Sequence, residues 1–95
     1  MNETVELGGN ITLTGFTNLD KAKLIVLKKM VGNYAKTIEE KKKFEKLSLT
    51  MTKEENNPKI KAEVIVEGRK INSETKEDNL FVALDKTLKE IINKL

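Results

Sequence analysis

The order strand, helix, three strands, helix is predicted for this 95-residue chain, an α+β fold of β-α-β-β-β-α topology. Three observations predict it. Apolar residues alternate with polar ones in four separate stretches, the pattern of half-buried strands. Two other stretches, about 19–35 and 77–95, repeat their apolar residues at helical spacing. Short links join the last three strands into an antiparallel meander, whereas a helical crossover separates the first strand from the second and favours parallel pairing. The expectation is one domain over residues 1–95, a four-stranded mixed sheet with two helices packed side by side on one face.

Each element has its own justification. Val5, Leu7, Ile11 and Leu13 alternate with Glu6, Asn10, Thr12 and Thr14, and Gly8, Gly9 and Gly15 predict a bend or bulge in this first strand. In "TNLD", Thr17 or Asn18 is the expected N-cap of the first helix, with Asp20 in its first turn. That helix should run from about Leu19 to Ala35 or a little beyond, burying Leu19, Ala22, Val26, Leu27, Met30, Val31, Tyr34 and Ile38. "EKLSLTMT" alternates again, with Leu47, Leu49 and Met51 inward. "KEENNPK" reads as a polar loop holding the only proline, Pro58. Ile60, Ala62, Val64 and Val66 share the inner face of the next strand, Gly68 marks a tight turn, and "RKINSET" returns through Ile71. The last helix carries Leu80, Leu84, Leu88, Ile91 and Leu95 on one stripe, with Thr75 or Asp78 as cap.

Composition narrows the function. Charged residues make up 35% of the chain against 38% hydrophobic, the balance of a globular protein with a heavily charged surface. The longest apolar run, "LIVL", is far below the roughly 20 residues of a membrane span, and no secretory leader is recognisable, so a cytoplasmic protein with no membrane partner is expected. With neither cysteine nor histidine, thiol chemistry and the commonest general base and metal ligand are missing. Acidic residues such as Glu39, Glu40, Glu54 and Glu55 fall at element ends, where solvated charge is the ordinary explanation. No enzyme, cofactor, metal or small-molecule substrate is expected.

The net charge of +3 is unevenly placed. Residues 1–17 carry two acids, residues 18–46 carry nine lysines against four acids, and residues 47–95 are balanced at nine of each. Within the basic segment, positions 21, 25, 28, 32 and 36 follow one side of the first helix and read Lys21, Ile25, Lys28, Gly32, Lys36, with Lys29 beside them. On the last helix Lys86 and Lys89 lie opposite the leucine stripe. A solvated face is the bland account of such lysines. Against it stand the lack of interspersed acids in the first row and Gly32, which costs a helix about 1 kcal/mol relative to alanine. Gly32 is explained by a partner's close approach, by packing of another element, or by an early helix end. Two lysine rows facing the same solvent suit a phosphate backbone. Aromatic residues, at 4%, leave little for base stacking, and Tyr34 reads as a core-edge residue.

Several stretches carry a family resemblance. "GGNITLT" is similar to the opening strand, "VLKKMVGNYAK" to the first helix and "EDNLFVALDKTLKEI" to the last helix of the N-terminal domain of the ribosome hibernation promoting factors and ribosome-associated inhibitors. The resemblance spans nearly the whole chain through motifs of moderate specificity. It implies a fold related to double-stranded-RNA-binding domains, with the basic outer faces of both helices on small-subunit ribosomal RNA. By position it carries over Lys28 and Lys29, and by face Lys86 and Lys89. The expected partner is therefore the small ribosomal subunit, contacted through Lys21, Lys28, Lys29, Lys36, Lys86 and Lys89, with occupancy silencing and protecting idle ribosomes. Two alternatives stand beside it. One is a protein-interaction or homodimerisation module using Ile25 and Val82; the other is a general double-stranded-RNA binder.

Overall fold

The computed structural model describes residues 4–7, 9–16, 19–54 and 57–95. In chain order it contains β1 (Thr4–Glu6), β2 (Ile11–Thr14), α1 (Lys21–Lys41), β3 (Lys46–Glu54), β4 (Asn57–Val66), β5 (Arg69–Lys76) and α2 (Leu80–Asn93). The strands lie in the order β1-β2-β3-β4-β5. β2 and β3 are parallel, and every other neighbouring pair is antiparallel. The expected four-stranded mixed sheet is β2 to β5, and β1 adds a short fifth strand at its edge.

That edge corrects the reading of one bent first strand. The chain reverses through a turn that includes Gly9 and Asn10, pairing Thr4 with Thr14 and Glu6 with Thr12, while the Leu7 N–H donates to the Ile11 carbonyl at 2.7 Å. Glycine and asparagine tolerate the backbone angles a reversal needs, so the signal read as a bend is a hairpin. The expected inward face of Val5, and the proposed caps Thr17 and Asn18, lie outside the described residues and side chains.

Both helices are capped by the residue immediately before them. Asp20 accepts from the Lys23 N–H at 2.8 Å, and Asn79 accepts from the Phe81 and Val82 N–H groups at 2.9 and 3.2 Å. A short polar side chain reaches the second or third helical N–H only from that position, which displaces Asp20 from the first turn and excludes Thr75 and Asp78 as caps. α1 also runs to Lys41, well past Ala35. Pro58 sits in β4 opposite Lys53, buried, instead of in a loop; at the start of a strand a proline forfeits only a terminal ladder bond. Glu67 and Gly68, with φ of 53° and 75°, make the two-residue turn between β4 and β5.

The core lies between the sheet and the helices. Leu13, Leu47, Leu49, Ile60, Ala62 and Val64 meet Leu27, Val31 and Ile38 of α1 and Leu84, Leu88 and Ile91 of α2, all fully buried. Phe44 is buried and Phe81 half-buried against the same core. The buried arc of α1 is narrower than expected. Leu24 and Ala35 belong to it, but Ala22 and Val26 are exposed. Apolar residues cover too wide an angle of α1 for one face, and the sheet takes only the arc around Leu27, Val31 and Ile38. Among the described residues, no helix is long and apolar enough to cross a membrane.

Candidate nucleic-acid interface

Burying Leu27, Val31, Ala35 and Ile38 turns the opposite side of α1 to solvent. Lys21, Lys29 and Lys36 are exposed there and Lys28 is half-buried at its flank. None of these four lysines makes an ion pair with any described residue. Gly32 lies in the same row, exposed, with nothing within 4 Å of where a Cβ would sit. Among the described residues no element packs on it, and the helix continues for nine residues beyond it, so neither close packing nor an early helix end accounts for this glycine.

The lysines of α2 are differently placed. Lys86 Nζ lies 2.8 Å from Glu77 Oε2, and Lys89 Nζ lies 3.1 Å from Asp85 Oδ2. Exposed pairs of this kind contribute about 0–1 kcal/mol to stability, but they cancel much of the field each lysine projects. The second lysine ridge is therefore charge-compensated, which corrects the picture of two equivalent basic rows. Asp85 and Lys89 stand at the i,i+4 spacing of a helical ion pair, a signal present in the sequence, whereas Glu77 lies before the helix and reaches Lys86 from outside that spacing.

Asp85 joins the two helices. Its Oδ1 accepts from the Tyr34 hydroxyl while its Oδ2 holds Lys89, so one carboxylate fixes the helix pair and orients a lysine. Tyr34 is thus the core-edge residue it was read to be. Burial first, and then the bond to Asp85, push the Tyr34 pKa up to about 12. The Tyr34 hydroxyl and then the Lys89 ammonium hold the Asp85 carboxyl below its ordinary value. The two shifts act at opposite ends of the pH scale. The lowered Asp85 stabilises the fold above the unfolded carboxyl pKa and loses that contribution as pH falls through its folded value. The raised Tyr34 contributes fully below pH of about 10 and loses its share as pH rises through about 12. Tyr34→Phe is expected to lower stability by about 1 kcal/mol at neutral pH. Urea titrations at pH 3, 7 and 11 check this; a wild-type-to-variant difference that stays constant at all three would contradict the coupling.

A second basic group escaped the helix-wheel reading. Lys41 and Lys43 at the end of α1, Lys46 at the start of β3 and Arg69 beside the β4–β5 turn are all exposed at one end of the molecule, with Lys70 there too but paired to Glu63 at 3.7 Å. Glu45 ties that end together: its N–H donates to the Ile65 carbonyl at 2.7 Å and its Oε1 accepts from the Gly68 N–H at 3.3 Å. The signal of this basic group in the sequence is the run "KKK" at 41–43, which follows the last turn of helical spacing. At the opposite end, Asp20, Glu77 and Asp78 stand at the helix N-termini and oppose an approaching phosphate there.

Three large apolar side chains among the described residues are also exposed on the helices: Ile25 at 57%, Val26 at 47% and Val82 at 42%. Among the described residues, no three His, Cys, Asp or Glu side chains are grouped to hold a metal ion. No family model matches the chain, and no curated protein matches it.

Proposed function

We propose that the protein binds structured RNA, most specifically the RNA of the small ribosomal subunit, through α1, and acts by occupancy in the cytoplasm and not by catalysis. The observation that carries this reading is the contrast between the helices: α2 compensates its lysines with Glu77 and Asp85, whereas exposed Lys21, Lys29 and Lys36, and Lys28 half-buried beside them, have no acidic partner among the described residues. Uncompensated charge in a row attracts a polyanion, because neutralising each phosphate releases condensed counterions. Gly32 supports it by leaving the helix backbone open within that row. Lys41, Lys43, Lys46 and Arg69, exposed at the C-terminal end of α1, add positive charge beyond that row, whereas Lys70 is paired to Glu63.

Cosedimentation with ribosomal subunits through sucrose at low and high salt tests the reading. Binding to the small subunit is expected, with a log–log salt slope of roughly one unit per phosphate contacted. Lys28→Glu/Lys29→Glu should abolish it, and Gly32→Ala should weaken it while raising stability by about 1 kcal/mol. A protein that stays at the top of the gradient at every salt would rule the ribosomal reading out. The exposure of Ile25, Val26 and Val82 favours one other reading, an apolar protein contact. Such a contact would be nearly indifferent to salt and would be broken by Ile25→Asp.

A further inference from the structure

The outer edge of β5 is an unpaired ladder, and its residues have a self-complementary order. The turn at Glu67–Gly68 sets Val66 opposite Arg69, so Arg69, Ile71, Ser73 and Thr75 turn their backbone groups toward β4. Lys70, Asn72 and Glu74 therefore point their N–H and C=O groups away from the sheet. Among the described residues these outward groups receive one hydrogen bond, from Lys94 Nζ to the Asn72 carbonyl at 2.7 Å. A groove of about 440 Å³ runs along this edge, walled by Glu90 and Lys94 of α2 on one side and Lys61 on the other, with Asn72, Ser73 and Glu74 as its floor. The Ser73 Oγ, buried beneath it, has no hydrogen-bond partner among the described residues.

Only certain registers let a second strand use these groups. Antiparallel self-pairing about a twofold axis at Asn72 sets Asn72 against its own copy and Lys70 against Glu74, twice. Moving the axis to Ser73 would oppose Lys70 to Lys76, and moving it to Glu74 would oppose that carboxylate to itself. The register with attraction at both flanks is also one that engages outward N–H and C=O groups throughout. We propose that β5 pairs with β5 of a second copy of this chain in that register. The product is a sheet continuous across the twofold axis, with the helices of both copies on one face and their α1 lysine rows turned to the same side. Lys94 leaves the Asn72 carbonyl as the partner's N–H arrives.

Lysine over a strand edge is also a known guard against pairing, and the experiment separates the two roles. Sedimentation equilibrium of the full chain over a wide concentration range, with thermal melts to confirm folding, is expected to show a reversible dimer. Lys70→Glu or Glu74→Lys should weaken it about tenfold, since each places like charges opposite one another twice. The double exchange Lys70→Glu/Glu74→Lys should restore it relative to either single variant, while the thermal melts register the loss of the Lys70–Glu63 and Lys59–Glu74 pairs (3.7 and 3.6 Å) inside each copy. Asn72→Pro removes an outward N–H that β4 does not use, and should abolish dimerisation while leaving the monomer folded. Lys94→Ala should tighten it. A monomer at every concentration would overturn the proposal. So would a dimer that ignores Asn72→Pro and the charge exchange; one broken instead by Ile25→Asp would move the interface to the helices.

Discussion

Gly15→Ala is expected to destabilise the protein by about 3 kcal/mol, lowering its melting temperature by roughly 15 °C for a domain of this size. Two causes act together. Gly15 follows β2 with φ of 85°, in the left-handed region that side chains rarely adopt. A Cβ there would also overlap the carbonyl oxygen of Met51. That oxygen lies on the β2 side of β3, between Thr50 and Thr52, which face Lys61 and Lys59 of β4, so it cannot step aside without disturbing the sheet. Gly32→Ala is the internal contrast, because its Cβ meets open space in a helix where alanine is favoured. Urea denaturation of the two variants checks both; a loss below about 1 kcal/mol at Gly15 would mean that the end of β2 yields more easily than this contact implies.

Leu49→Ala should cost a similar amount, about 3 kcal/mol, by a different route. Leu49 is fully buried on β3, with Leu13 of β2 and Ala62 of β4 as its lateral neighbours. Ala62 is already small and cannot grow into the space, so the lost volume remains as a cavity in addition to the lost transfer energy. Leu49→Met keeps most of the volume and should cost less than about 1.5 kcal/mol. Ile25→Ala, on the exposed side of α1, should stay within about 0.5 kcal/mol. Equal losses at Leu49 and Ile25 would contradict the placement of the core.

The parts of the fold that were legible in sequence are those with one periodicity and one buried face. Leu47, Leu49 and Met51, then Ile60, Ala62, Val64 and Val66, alternate because the sheet covers one side only, and all lie inside. The hairpin of β1 and β2 was not legible for a specific reason. Val5, Leu7, Ile11 and Leu13 keep the same parity through the reversal, so a period of two cannot distinguish one strand from two. Val26 was misplaced because α1 carries apolar residues around most of its circumference, and only the packed sheet decides which of them are covered. For the candidate site, helical spacing puts the six lysines on the two helices and sets Asp85 four residues before Lys89, but other contacts that decide their electrostatic state are not encoded by spacing. Glu77 reaches Lys86 from outside α2, and Tyr34 reaches Asp85 across 51 positions of chain.

The parallel pairing of β2 with β3 has a consequence for how the chain folds. Ile11 meets Leu47 and Leu13 meets Leu49 only after the whole of α1 has been traversed, whereas β3, β4 and β5 meet through short connections. Closing the longer loop carries the larger entropy cost before any contact compensates it. The meander is thus the natural nucleus, and β2 docks onto it late. Leu49→Ala should then slow refolding, while Gly15→Ala should act mainly by accelerating unfolding. In a stopped-flow experiment the two equally destabilised proteins would bend opposite arms of the chevron.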